Sequence, residues 1–587
     1  MKLLFIHCNI NTGNGRHFVP GIAGISSVLK AAGHETALLF LQEGVDREAL
    51  VKKIEAEQPD LIGFSTLTNQ MRSIRQYTRW IKEEHDIPVI YGGIHATICP
   101  EDVARHDDVD FICIGEGEFP VLELLEQMEK GGSGDNIPNL WVRQPDGRFI
   151  KNPLRPLMHD LDALPFPDHE LFKCGQLLLE NPMEATFLMA GRGCPFTCKY
   201  CCNHVLQERY RGLGKYCRLR SQERVLEEIR YLLGRYDIKR LVIFDDTFTY
   251  NYPWLMRFCQ LYRDEFDLPF AIQVRVDTVD EKILRMLKEA GCDMIIAGIE
   301  SGSERIRHGI MNRKMTNERI VNVYKTADAL GLKTWANYII GLPTETPEDV
   351  EETFAINRII RPNNIQVSIF FPYPKTALFD LCSQEGYLSD RESNGFFGES
   401  ILNLPTLTKE QILEYVNKLK AEAVRIKLEK EQSGEFDFLV RFPEARLTTE
   451  HEAYVRITSE IIDGEERSVI FAHPESRISY TLSLPENARL CFGIGMSPPV
   501  WSKEKGSGVD FEITMNENGR ERLLFSRYID PKNNPDDRKW HDITVDLPEH
   551  SSHPTQLNFI TTTKGRDKQF CWAVWSQPFL DRRKQPA

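Results

Sequence analysis

The chain is 587 residues long, enough for three or four domains with well-filled cores, and its 72 basic against 86 acidic residues leave a net charge of −14. An acidic chain with no basic block is poorly suited to holding polyphosphate by counterion release, which argues against nucleic acid as substrate. No apolar run approaches the 18 or so residues of a membrane span, the opening MKLLFIHC is too short for a signal peptide, and 14 cysteines, clustered tightly at only one place, fit a reducing cytoplasm better than a disulfide framework.

Residues 1–135 alternate short apolar runs, at 3–7, 35–40, 60–65, 87–93 and 110–115, with helix-length segments. In the first of these, Ile22, Ile25, Val28 and Leu29 make one apolar stripe and Gly33 a C-terminal stop. This alternation predicts an α/β, flavodoxin-like, doubly wound parallel sheet that binds ligands beyond the carboxyl ends of its strands. Ser65, Thr66 and Leu67 follow the third strand, Gly92 and Gly93 the fourth, and Gly115, Glu116 and Gly117 the fifth. Gly92 and Gly93 would let the backbone approach a flat ligand that any side chain would keep away; the plainer alternative is that these glycines only turn the chain. In the loop after the first strand lie His7, Asn9 and Asn11, none assigned as a ligand; a lone histidine at a strand end is expected to be a hydrogen-bonded structural residue.

The stretch 131–138, GGSGDNIP, reads as a flexible break, and 136–184 as a linker. The linker holds a small hairpin turned at Asp146-Gly147, and Pro153, Pro156, Pro165 and Pro167 keep it extended.

From 185 to 400 strands and helices alternate again, with six strand-like runs that predict a partial (β/α)6 barrel of TIM type, whose functional groups lie at the carboxyl ends. After the first run comes GRGCPFTCKYCCNH, in which Cys194, Cys198 and Cys201 are spaced CxxxCxxC. Three thiols at that spacing can ligate three irons of one cubane 4Fe-4S cluster and leave the fourth iron open; a structural zinc site closes four ligands, and ferredoxins use four cysteines in other spacings. Cys202 and Cys217 are left out as structural thiols. Asp245 and Asp246 end the second strand, Arg275 the third, Gly298, Glu300 and Ser301 the fourth, and Gly341 and Leu342 the fifth.

The triplet, with Tyr200 before its last cysteine and the strand-end motifs in this order, resembles the radical S-adenosylmethionine (SAM) enzymes; the N-terminal region resembles the cobalamin-binding domain that precedes many of them. The resemblance implies a 4Fe-4S cluster on Cys194, Cys198 and Cys201, with SAM bound by Tyr200, Arg275, Gly298, Glu300, Ser301, Gly341 and Leu342. It assigns Arg275 to the SAM carboxylate and Glu300 to a hydroxyl or ammonium of SAM. Cobalamin would lie against Ser65, Thr66, Leu67, Gly92, Gly93, Gly115, Glu116 and Gly117, without a histidine on cobalt, because the first loop lacks DxHxxG. Asp245 and Asp246 are the candidates beside the substrate; no catalytic residue is assigned.

Residues 401–432 hold an amphipathic helix opened by a capping box of Thr408 and Gln411, with Ile412, Val416, Leu419, Ala423 and Ile426 on one stripe. After Ser433-Gly434, residues 433–587 change to about eight short alternating runs, the pattern of a jelly-roll-like β-sandwich. This part has 20 basic and 24 acidic residues and no catalytic constellation. Trp501, Trp540, Trp572 and Trp575 lie in it; a glycan- or partner-binding surface is one reading of them, and core packing is the one preferred.

The function these features imply is cobalamin-dependent radical methylation of an unactivated carbon in a small metabolite or natural-product intermediate, fed by a flavodoxin- or ferredoxin-type reductant. Three alternatives stay open: a radical cyclase or rearrangement enzyme, a methylthiotransferase, and a glycan- or partner-binding protein whose radical machinery has lapsed. The methylthiotransferase would need a second cluster, for which Cys8, Cys99 and Cys113 offer no convincing set.

Overall fold

A computed structural model describes residues 1–10, 15–180, 185–389, 400–431, 436–482, 484, 488–502, 505–517, 520–548 and 555–582. Asn11 and the Ser433-Gly434 junction lie outside them. The chain divides into two compact units, residues 1–419 and 420–587.

In the first unit the strands β1 (Lys2–Cys8), β2 (Glu35–Leu41), β3 (Leu61–Ser65), β4 (Val89–Gly92) and β5 (Phe111–Cys113) are parallel and lie in the order 2-1-3-4-5. That is the flavodoxin-like order, with its crevice at the switch between β1 and β3. Alternation along β1 supplies both faces: Leu3 and Phe5 pack with the helices Pro20–Ala31 and Glu118–Glu129, whereas Leu4, Ile6 and Cys8 pack with Arg47–Glu57 and Met71–Glu84.

The hairpin expected in the linker belongs instead to this sheet. Its strands, β6 (Leu140–Arg143) and β7 (Phe149–Lys151), add antiparallel beyond β5. Leu140, Trp141 and Val142 are buried there, so the edge of the sheet is covered rather than open. Residues 131–138 are not a loose break either: Ile137 is buried, and the Gly134 N–H donates to Gln127 Oε1 at 3.1 Å.

Six parallel strands form the second sheet: β8 (Ala185–Leu188), β11 (Arg240–Ile243), β12 (Phe270–Val274), β13 (Cys292–Glu300), β14 (Lys333–Ile340) and β15 (Asn364–Ile369), in consecutive order. This is the expected partial barrel. A short antiparallel pair, β9 (Gly191–Arg192) with β10 (Arg218–Leu219), follows β8 and brackets the cysteine loop. The helix Lys409–Glu431 starts as predicted: Thr408 N–H donates to Gln411 Oε1 at 2.9 Å and Gln411 N–H to Thr408 Oγ1 at 3.2 Å. Ile412, Val416 and Leu419 enter the barrel core.

The second unit is a sandwich of two antiparallel sheets, of six and five strands. Eleven strands among the described residues replace the eight expected. Two of the additional ones, Phe436–Asp437 and Arg446–Thr449, are too short for alternation to register; the third, Glu465–Ala472, makes a hairpin with Val455–Ile462 through Asp463-Gly464, both in the left-handed region. The four tryptophans do not form an open platform. Trp575 fills the core, and Trp501, Trp540 and Trp572 are buried or half-buried in apolar clusters. Trp501 Nε1 donates to Met496 O and Trp540 Nε1 to Glu465 O, which satisfies the polar ends of both rings.

Candidate active site

The cysteine loop lies where the barrel strands end. Cys194 Sγ is 3.6 Å from Thr247 Oγ1, beyond β11; Cys198 Sγ accepts from Arg275 Nη1 at 3.3 Å, beyond β12; and Cys201 Sγ accepts from Asn203 Nδ2 at 3.6 Å. The loop is fixed from the helix Asn203–Arg209, where Gln207 Nε2 donates to the carbonyls of Cys194 (2.6 Å) and Phe196 (3.2 Å), and His204 Nδ1 lies 3.1 Å from the Cys198 carbonyl. Lys199 N–H donates to Met311 O, tying the loop across the mouth. Sequence reading missed Gln207 and His204, although one helical turn after the triplet is where such side chains reach back.

Among the described residues no three His, Cys, Asp or Glu side chains converge on one ion. A cubane asks for a different arrangement, in which each thiolate takes its own iron and the sulfurs stand apart around the cluster. Burial pushes the Cys194 thiol up, and the nearby Asp246 and Cys201 add to the shift. The Cys202 thiol donates to Cys201 and pulls it down to about 7. Three thiols at the mouth of the sheet, two buried and one half-buried, with the carbonyls of Cys194 and Cys198 held by side chains, fit three corners of a 4Fe-4S cluster.

Next to them lies a buried polar network built on one backbone irregularity. Between Gly298 and Glu300 the register of β13 against β14 shifts, and Glu300 takes a left-handed φ of 69°. Its carboxylate occupies the space a side chain at position 298 would need: a Cβ on Gly298 would come within 2.1 Å of Glu300 Oε1. Tyr200 Oη donates to Glu300 Oε1 at 3.0 Å, and Arg313 donates to Tyr200 Oη (3.2 Å) and to Gly298 O (2.5 Å). Burial pushes the Glu300 carboxyl up, opposed by Arg313. Tyr200, Gly298, Glu300 and Arg275 therefore share one buried cluster with Cys198. Arg313, which the sequence reading did not single out, joins them from a segment with no strand-end signature.

Other predicted residues have different partners. Arg275 is held by its neighbour Asp277, through Nε at 2.9 Å and Nη2 at 2.7 Å, and lies over the Phe196 ring at 3.7 Å. Ser301 is fully buried; its Oγ accepts from Ser303 N–H and lies 3.5 Å from Thr353 Oγ1. The Gly341 and Leu342 N–H groups both donate to Glu345 Oε2, at 2.6 and 3.2 Å, while Glu345 Oε1 is buried without a partner. Burial pushes that carboxyl up to about 8. Asp245 is buried and accepts the Ala190 N–H at 2.7 Å, which steadies the approach to the cysteine loop; burial pushes it up to about 7. Asp246 beside it is exposed.

Between the strand ends of the first sheet and the barrel opens a cleft of about 360 Å³. Ser65, Gly92, Gly93, Gly115, Glu116 and Gly117 line one side, Met189, Gly191, Arg192 and Arg220 the other, and Leu3, Phe5 and Ile90 form an apolar floor. An apolar slot walled by glycines at a sheet's switch point suits a flat aromatic or macrocyclic group. Not every glycine is there for a ligand: a Cβ on Gly93 would come within 2.8 Å of the Thr66 N, and one on Gly115 within 1.5 Å of Tyr210 Oη. Thr66 is turned into the fold, donating to Gly92 O at 2.7 Å and accepting from Ala96 N–H at 3.0 Å. Leu67 precedes the short turn Thr68–Gln70 and does not line the cleft.

Glu116 bridges the two modules. Its carboxylate accepts from Arg192 Nη1 (2.8 Å) and from Arg218 Nη1 and Nη2 (3.1 and 2.8 Å), while Arg192 Nη2 donates to Glu118 at 2.5 Å. His7 departs from expectation. It is buried with neither ring nitrogen hydrogen-bonded, packs against His17 and Phe40, and is lowered by burial and by His17 to about 4.

These features coincide with two family models: the Radical SAM superfamily over residues 188–355 and the B12 binding domain over residues 6–125. The chain is thus a radical SAM enzyme with a cobalamin-binding domain ahead of its barrel. Its cofactors are those of the two domains: a 4Fe-4S cluster and SAM for the barrel, cobalamin for the N-terminal sheet. An uncharacterized methyltransferase of Pyrococcus horikoshii is 29% identical over 402 residues, 68% of this chain and 86% of that protein. The anaerobic magnesium-protoporphyrin IX monomethyl ester cyclase of Rubrivivax gelatinosus is 26% identical over 413 residues, 68% of this chain and 72% of that one. Among solved structures, the radical SAM methyltransferase TsrM of Kitasatospora setae, with cobalamin and a 4Fe-4S cluster bound, superimposes with a TM-score of 0.53 at 16% identity, covering 70% of this chain and 84% of that one. The last likeness is one of fold.

Proposed function

We propose that this enzyme methylates an unactivated carbon of a small molecule. The observation that carries the reading is the cleft whose walls come from both modules, so that the glycine-lined strand ends of the cobalamin domain face the strand that leads into the cysteine loop. When bound, the cluster and SAM supply a 5'-deoxyadenosyl radical on reduction, and cobalamin supplies a carrier for a methyl group. The chain's own residues position and seal. Cys194, Cys198 and Cys201 hold the cluster at the barrel mouth; Glu300, oriented by Tyr200 and Arg313, offers a carboxylate to the ammonium or ribose of SAM. Ser65 and Gly92 leave room for the corrin or its nucleotide tail, with Gly93, Gly115 and Gly117 lining the same cleft, and the Glu116 ion pairs fix that site's distance from the cluster loop. Asp246, exposed at the end of β11, is the remaining candidate for contact with substrate.

A low-potential flavodoxin- or ferredoxin-type protein supplies the electron. The setting is a reducing cytoplasm, consistent with 14 free cysteines and with no described helix long and apolar enough to cross a membrane. The experiment is product mass spectrometry from the anaerobically reconstituted enzyme with methyl-deuterated SAM and candidate metabolites. Retention of the deuterated methyl group supports the reading; conversion without label refutes it in favour of a cyclase, the second reading, which the similarity to the Rubrivivax enzyme keeps in play.

A further inference from the structure

The three cluster cysteines have unequal surroundings. Cys194 meets a threonine hydroxyl, and Cys201 an asparagine amide and the neighbouring thiol. Cys198 alone meets cations, and it meets two: Arg275 Nη1 at 3.3 Å and Arg313 Nη1 at 3.6 Å. Neither guanidinium is free to swing away. Arg275 is gripped by both oxygens of Asp277 and laid on the Phe196 ring; Arg313 is tied to Gly298 O and Tyr200 Oη and is buried.

The local charge is close to balanced, since Asp277 pairs with Arg275 and Glu300 lies 3.9 Å from Arg313. What remains is directional: two N–H donors aimed at one sulfur, one from the end of β12 and one from the segment that follows Arg305–Ile310. A reduced cluster carries one more negative charge, spread in part onto its thiolates. Hydrogen bonds to sulfur stabilise that state more than the oxidised one and so raise the reduction potential. In a buried site each such bond counts for more than it would in water.

We propose that Arg275 and Arg313 are potential-setting residues, which act through the Cys198 sulfur to make the cluster easier to reduce. The inference rests on the cluster assignment above. The test is an EPR-monitored redox titration of the anaerobically reconstituted full-length chain without SAM, comparing wild type with Arg275→Gln, Arg313→Gln and Arg313→Lys, with iron counted in each. Loss of one donor is expected to lower the reduction equilibrium constant about tenfold, equivalent to about 59 mV for one electron. Arg313→Lys, which keeps the charge but not the fork, is expected to lie between wild type and Arg313→Gln.

Both glutamine variants holding four irons with equilibrium constants within twofold of wild type would overturn the proposal. So would failure of both to retain iron, since the arginines would then serve assembly rather than tuning. A wild type that takes up no cluster would sink the functional reading itself, and this inference with it; a normal wild-type cluster indifferent to both arginines sinks only the inference.

Discussion

Replacing Glu116 by Gln tests whether the cobalamin domain and the barrel are held together by charge. In the wild type, three guanidinium bonds from Arg192 and Arg218 end on this carboxylate. Burial alone would raise its pKa, yet the two arginines hold it below the usual carboxylate range. A glutamine offers one uncharged oxygen, so Arg218, whose side chain is 5% exposed, keeps only the carbonyls of Met158 and Tyr216. Uncovering a buried charge in this way costs about 3–5 kcal/mol, and the 23% exposure of Glu116 points to the lower figure, about 3 kcal/mol. With an unfolding entropy near 2.1 cal/mol/K per residue over the 419 residues of the first unit, that is a fall of about 3–4 °C in its melting temperature.

The assay is differential scanning calorimetry, with a double-mutant cycle through Arg218→Gln, for which a coupling of at least about 1 kcal/mol is expected. The pH dependence has a definite sign. A carboxyl depressed in the folded state contributes its stability above the unfolded pKa of about 4.3 and loses it as the pH falls through the folded value, so wild type and variant should converge on acidification below about pH 4. Unchanged melting together with zero coupling would refute the clamp, and the geometry of the cleft would then have to be set by packing.

Other outcomes follow from the same structure. Gly115→Ala, placing a Cβ on Tyr210 Oη at a φ of +84°, should destabilise by about 1–3 kcal/mol, and Tyr210→Phe in the same chain should recover part of that loss in thermal melts; no recovery would show that backbone strain alone is responsible. Glu345→Gln keeps the oxygen that accepts from Gly341 and Leu342 and imitates the protonated acid. Because the folded pKa of about 8 lies above the unfolded value, the native state holds an extra proton between them and wild-type stability falls as pH rises through that window, at up to about 1.4 kcal/mol per unit. The variant should match wild type near pH 4 and melt increasingly higher as the pH rises toward 8; an equal slope in both would refute the assignment. Cys202→Ala should retain four irons and Cys201→Ala should not, by iron assay after anaerobic reconstitution; equal retention would remove Cys201 from the ligand set.

What the sequence made legible was what repeats or is spaced. The 2-1-3-4-5 sheet and the six-stranded barrel follow from apolar runs at regular intervals, and the triplet from three thiols within eight residues. Arg313 carried no such mark. It reaches the site because the turn Arg305–Ile310 and the left-handed Asn312 bring the chain back over the mouth, and long-range closure of that kind leaves no local period to read. Glu116 was legible as a residue but not in its role. A glycine-flanked acid after a fifth strand reads as a ligand contact from one side of the cleft, and only the strand pair β9–β10 across from it supplies the two arginines that turn it into a brace. The same logic accounts for Thr66 and Ser301, whose hydroxyls sit where ligand contacts were expected but are consumed by neighbouring backbone and side-chain groups. A strand-end motif therefore identifies the loop that faces a cofactor, whereas which atoms of the loop remain unsatisfied, and so able to bind, is decided by the groups that the fold packs around it, from Ser303 beside Ser301 to Arg218 across from Glu116.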